Sequence, residues 1–334
     1  MISITITRLI RDKFFSLGIL ISVLIASIVV AGGFMYQNSF HRITVKNSLD
    51  EIGTYNKNIR IDSQWIPLEY KEIQKTNLLI EELTDNNIID EIKYDSTYHL
   101  RTKEHFWNKN DDKVISGDLV SRLFFHTSNN LMENIEIIEG NYPKNEITYD
   151  NDINTLEVII YKNRSKNIRH DYQLKNLEIN DIISAQSVPR KIGLVRAKIV
   201  GVFDIKDPYS EFWNGDPSLL LDPDPPMIFG GRERPIVLFT NFEAFTQGLE
   251  SSNSGLPVDY QKIFHIDTSK ILSGNTNDIL KNLRDFQNEV FTKIPRSNVY
   301  ISIIPTIERI ENKILFLKLP MYIIGSFAIA FVLF

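Results

Sequence analysis

The chain has 334 residues, 43% hydrophobic and 24% charged, with a formal net charge of −5 and a mean hydropathy of −0.14. It has no cysteine, which excludes a disulfide framework, so a body of this length must hold together by core packing, most simply as two domains. Residues 1–40 carry three basic and one acidic residue and residues 313–334 carry two basic ones, which leaves −9 on the polar middle, a poor match for nucleic acid or anionic lipid.

The first predicted element is the uncharged run FFSLGILISVLIASIVVAGGF, Phe14 to Phe34. A bilayer core of ~30 Å takes ~20 apolar residues as helix. A signal peptide would have an h-region of ~7–15 residues and a small-x-small cleavage site, and VVAGGF fits that site imperfectly. The run therefore reads as an uncleaved transmembrane helix over 14–34. Arg8, Arg11 and Lys13 then keep segment 1–13 cytoplasmic by the positive-inside rule, which puts the polar middle outside the cell membrane. Tyr36, Phe40 and Ile43 continue a helical stripe, so 35–50 is expected as a stalk.

A strand–helix–strand pattern then occurs twice. NIRID (Asn58 to Asp62) alternates like a strand, Ile73, Thr76, Ile80 and Leu83 mark a helix, and IKYDSTYHL places Ile92, Tyr94, Tyr98 and Leu100 on one strand face. Near the far end, IFHID (Ile263 to Asp267) precedes a helix carrying Ile279, Leu280, Leu283, Phe286 and Val290, and VYISII (Val299 to Ile304) closes the unit. Together they predict one split α+β domain over 51–115 and 246–304. The stretch between, 116–245, is expected as an inserted β-rich domain with strands at LEVIIYK, LEINDIISA, AKIVGVFDI and PIVLFT. Six of the thirteen prolines fall between Pro208 and Pro235, so that part reads as a long loop. Ile307 and Ile310 put a second stalk at 305–313. A second membrane helix then begins at 314–334, and only ~24 Å of helix follows Lys318, as in a fragment cut before the span is complete.

Chemical motifs are sparse. The P-loop spacing is absent, and Pro235 spoils GGRERP as a phosphate cradle. The six histidines are scattered. His99 and His105 in HLRTKEH stand six apart with Glu104 adjacent, which fits neither two-histidine zinc spacing. Asp222 and Asp224 have calcium-ligand spacing, but Pro223, Pro225 and Pro226 replace the required glycine and oxygen donors. Asn163 opens a glycosylation triplet, NRS. No catalytic, cofactor-binding or metal-binding residue is assigned, and no cofactor is expected.

Several stretches in order resemble the FtsX-like, or MacB-like, permease family of ABC transporters. RLIRDKFFSLGILISVLIAS is similar to that family's opening segment, and IEIIEGNYPKNE (Ile135 to Glu146) to its glycine–proline turn. LEVIIYKNRSKN, LEINDIISA, AKIVGVFDIKDPYSEFW and PIVLFTNFEAF resemble the strands that follow. At these positions Gly140 is expected to take a positive φ, Asn180 to tolerate the left-handed region in place of glycine, and Gly201 to allow close strand approach. Asn141 stands where the family has arginine. The resemblance implies a non-catalytic subunit paired with a second copy or paralogue in the bilayer. A separate cytoplasmic ABC ATPase, touched here by Met1 to Lys13, would drive movement of the external domain for export or mechanotransmission. A membrane-anchored receptor domain shares the same plan and is the alternative. A membrane-anchored enzyme lacks a catalytic constellation.

Overall fold

The structure is a computed structural model. It describes residues 13–334 except 86, 117–119, 151–152, 171–172, 189–192, 224–233, 254, 274–275, 310, 313–321, 324–325 and 327–334. The helices are α1 (Lys13–Asp50), α2 (Tyr70–Asp85), α3 (Ile88–Ile92), α4 (Leu131–Asn134), α5 (Ser218–Leu221), α6 (Phe242–Asn253), α7 (Thr268–Ser273) and α8 (Thr276–Lys293). The strands are β1 (Ile59–Pro67), β2 (Lys93–Thr102), β3 (His105–Lys109), β4 (Leu123–Ser128), β5 (Ile135–Gly140), β6 (Thr148–Asp150) and β7 (Ile153–Tyr161). They continue with β8 (Ile168–His170), β9 (Gln173–Lys175), β10 (Ile182–Ser187), β11 (Leu194–Ile205), β12 (Ile236–Phe239), β13 (Pro257–Ile266) and β14 (Ser297–Ile301). The chain divides into one unit of 1–53, 268–280 and 303–334 and another of 54–267 and 281–302.

The expected α+β membrane protein, with a split porter-like domain and a separate inserted domain, is corrected on two counts. First, among the described residues no helix is long and apolar enough to cross a membrane. Residues 14–34 are the first part of the 38-residue α1, and its described Leu17, Leu20, Leu24 and Ile28 are exposed. The expected start of a second membrane helix lies almost wholly outside the described residues, as does the cytoplasmic segment 1–12. Among the described side chains of α1, Val45 and Leu49, one turn apart, are buried, whereas Ile43 of the expected stripe is exposed. In the same unit α7 packs on α1, Ile303 and Ile307 are buried, and Thr276 hydrogen-bonds Glu311.

Second, the inserted strands and the split domain are one sheet of 12 strands, not two domains. Its main path is β12-β7-β11-β10-β3-β4-β2-β13-β1-β14, with β5 on β11 and β6 on β7. β12 pairs with β7 on one side and with β4 on the other, which closes six strands into a ring. Closure leaves those strands without open edges, so their backbone groups are paired around the circuit. Trp107, Phe125, Leu156, Ala185, Ala197 and Leu238, one from each ring strand, are all fully buried. The ring opens into a four-stranded extension because β2 and β3 form nearly one bent strand along β4. His99, Leu100 and Arg101 pair with Ser128, Thr127 and His126, and His105 pairs with Leu123 after a one-residue shift at Lys103–Glu104.

Helix α2 buries Ile73, Ile80 and Leu83 against β1 and α6. Each such side chain contributes roughly 1.5–3 kcal/mol on burial. Helix α6 packs on β7, β4 and β11, with Ala244, Phe245 and Leu249 buried.

The three expected special backbone positions behave as their residue types predict. Gly140 has φ +81° and Asn180 φ +71°. A Cβ on Gly140 would lie 2.1 Å from the Val200 carbonyl oxygen, and one on Gly201 2.4 Å from that of Asn141. Gly255 offers a control, since it has φ +73° but nothing within 4 Å of a Cβ. Gly140→Ala is therefore expected to destabilise the protein by more than ~2 kcal/mol, and Gly255→Ala by only ~1 kcal/mol. Urea titration of the two variants separates the steric cost from the conformational one.

Candidate functional site

Period-2 alternation sends Thr97, His99 and Arg101 of β2 to one face and Tyr98, Leu100 and Thr102 to the other. Register then builds a polar floor on the first of these faces. Gln261 stands opposite His99 and Asp259 opposite Arg101, Asp62 stands opposite Gln261, and His126 stands opposite Arg101. The floor is tied across strands. Arg60 Nε lies 3.1 Å from Asp62, Gln261 donates to Asp62 at 3.0 Å, and Lys103 pairs with Asp259. Arg101 lies 3.8 Å from Asp259, too far for a hydrogen bond.

Residues 211–221 of the proline-rich segment form the roof. The single turn Glu211–Trp213 and α5 set Phe212, Trp213 and Leu221 into an apolar cluster with Ile159, Phe203, Val237 and Phe239. Its roots are fixed by polar contacts. Lys206 donates to the carbonyls of Met132 and Glu133, Ser210 to Asn134 at 3.1 Å, and Asp222 takes ion pairs from Arg234 at 2.6 Å and Arg164 at 3.3 Å. Between floor and roof lies a cavity of about 280 Å³, bordered by Arg60, Asp62, Arg101, His126, Trp213 and Leu220 among others.

Two histidines form its inner wall. His99 Nδ1 and His126 Nε2 are 3.4 Å apart, with Phe212 edge-on to His99 at 5.1 Å and Phe239 against His126 at 4.8 Å. Burial disfavours their charged forms. It lowers His99 to about 4, with the neighbouring His265 adding to the effect and the Phe212 backbone opposing it. Burial holds His126 well below the ordinary range, reinforced by His99 and Arg101. Burial also raises Asp62, against the opposing pull of Arg60. Farther along the face, His265 meets Thr97 at 3.3 Å and Glu211 at 3.3 Å. Among the described residues no three His, Asp or Glu converge as metal ligands.

The residues weighed from sequence separate in space. His99 enters this wall, while His105 sits on β3 against Phe125. Glu104 pairs with Arg122, Asp222 ties down the roof, and Asp224 lies outside the described residues. Asn163 is on an exposed turn and donates to the Tyr161 hydroxyl. Sequence reasoning missed Arg60, Arg101, His126, Asp259 and Trp213. The available signal was the HLR triplet (His99 to Arg101) in an alternating strand, which puts two polar groups on one face. On the opposite face a smaller cavity of about 210 Å³ adjoins Tyr98 and Tyr260. The buried Lys262 beside it reaches Asn77 at 3.3 Å and Glu81 at 3.8 Å. That charge is partnered within the fold. No family model matches the chain, and no curated protein matches it.

The wall sets a pH dependence. His99 is depressed in the folded state, so an unfolded chain takes up its proton first as pH falls below 6.5, and stability drops until the folded pKa near 4 is reached. For His99 alone the expected loss between pH 7 and pH 5 is on the order of 2 kcal/mol. Urea midpoints measured across that range are expected to fall, and His99→Phe is expected to flatten the slope.

Proposed function

We propose that the chain works as the FtsX/MacB-type partner of an ABC ATPase, hydrolysing nothing itself and carrying movement into an extracytoplasmic body. The ATPase would be a separate cytoplasmic chain, and the working unit would hold a second copy or a paralogue. The observation that carries this reading is how the first and last strands of the body of 54–267 and 281–302 meet. The chain runs into β1 at Ile59 and out of β14 at Ile301, and these two residues are direct antiparallel partners. The strands continue, in sequence, to α1 on one side and to the helical residues 303–309 on the other. A displacement of either flanking helix thus arrives at neighbouring strands of one sheet. The body has no P-loop to provide its own energy.

A receptor domain is the second reading, and the cavity with its charged floor favours it. Co-expression with an ABC ATPase encoded beside this gene separates the two. The ATPase is expected to co-purify, with turnover altered by the bound chain. Deleting 36–49 is expected to abolish that alteration while thermal melting of the body is unchanged. No association, or the same turnover with the deletion, sinks the transporter reading and leaves the receptor.

A further inference from the structure

Two cations and two carboxylates line the cavity, Arg60 and Arg101 with Asp62 and Asp259, and Lys103 stands beside the lining. Lys103 already pairs closely with Asp259, which leaves Arg101 as the surplus cation. Its guanidinium donates no hydrogen bond among the described residues, and its carbon lies 5.1 Å over the Phe124 ring, which fixes the plane of the fork. Arg60 is held in the same way, 4.4 Å over Tyr300, with only its Nε turned to Asp62. The histidines nearby do not change this balance, because burial keeps them neutral at pH 7.

Two further polar atoms belong to residues that border the cavity. His126 Nδ1 and Trp213 Nε1 are buried without a hydrogen-bond partner among the described residues. Buried polar groups of folded proteins are nearly always satisfied, and an unmet one costs ~1–3 kcal/mol. Opposite the floor the lining is mainly apolar, from Trp213, Leu219 and Leu220, with Asn214 as its polar member. A planar guanidinium with free N–H groups matches a carboxylate in bidentate fashion, and a nearby apolar wall suits a short hydrocarbon.

We propose that this cavity binds a small monoanionic amphiphile, an aliphatic or aryl carboxylate with its head on Arg101 and its apolar body beneath Trp213 and Leu220. Such a ligand neutralises the surplus charge and fills the apolar side in one step. The inference rests on the cavity alone and holds for a transporter subunit or a receptor domain alike.

Calorimetric titration of the full chain with hexanoate, hexanamide and hexylammonium tests it. Hexanoate is expected to bind, hexanamide at least tenfold more weakly, and hexylammonium not detectably. Arg101→Gln is expected to weaken hexanoate at least tenfold while leaving hexanamide unchanged. Leu219 is an exposed roof residue that also borders the cavity, so Leu219→Asp is a second variant that does not disturb the core. It is expected to weaken hexanoate tenfold or more and to admit hexylammonium. No binding of hexanoate, equal binding of acid and amide, or hexanoate affinity unchanged in Leu219→Asp overturns the proposal. Because the deletion of 36–49 leaves the cavity intact, failure here and failure of the ATPase experiment are distinguishable.

Discussion

The bent strand formed by β2 and β3 is the constraint on which the rest of the body depends. It lies along β4 at the ring and along β13 in the extension, so its register sets both. A slip of one residue would exchange its faces, sending Tyr98 and Leu100 into the polar cavity and His99 and Arg101 under α2. Side chains lock the register where the backbone ladder runs out. The Phe125 N–H donates to Thr102 Oγ1 at 3.0 Å. Beyond the end of β4, the Asn129 amide accepts from the Tyr98 N–H at 2.7 Å and donates to the Ser96 carbonyl at 3.1 Å, continuing the pairing with side-chain atoms.

That register collects the polar groups of the floor, and the roof leaves them half-buried. Charges in such a place are costly unless paired, and the raised pKa of Asp62 reflects that cost. An apolar floor of the same shape would be easier to stabilise. The roof is held by large anchors, since Phe212 and Trp213 are almost fully buried and Leu221 joins them in the cluster. Residues 211–221, held by two single turns, are thereby anchored through their side chains.

Much of the strand order was legible where burial differs between faces. β2, β11 and β13 alternate, and their periodicity is plain in sequence. β12 and most of β4 are buried on both faces, so they carry no period-2 signal; PIVLFT was legible through its β-branched residues and turn boundary, whereas LFFHTS reads equally well as buried helix or strand. Ring closure is a statement about pairing between positions more than a hundred residues apart, such as Ile236 with Leu123, and local pattern is silent on it. The expectation of a separate inserted β-rich domain failed for that reason. The site was hidden for a similar one. His99 and His126 belong to adjacent strands, so no fixed motif spacing joins them, and Trp213 is an anchor in a stretch without periodicity. Positive-φ positions such as Gly140 and Asn180 were readable because a single residue type carries the signal.

The cavity and the strands by which the chain joins the body share one side-chain contact. Arg60, on the floor, stacks on Tyr300 of β14, and the two residues face each other across the β1–β14 ladder. Any ligand that draws on Arg60 changes how well it stacks on Tyr300, and any shift of β14 changes where Arg60 presents its free N–H groups. By thermodynamic linkage the effect has the same size in both directions. A cation–π contact of this kind is worth about 0.5–2 kcal/mol, enough to bias occupancy or strand position by several-fold and too little to act as an on–off switch. With a ligand bound as proposed, the body would be suited to graded adjustment, in which movement at β14 tunes binding in the cavity and binding in turn tunes the freedom of β14.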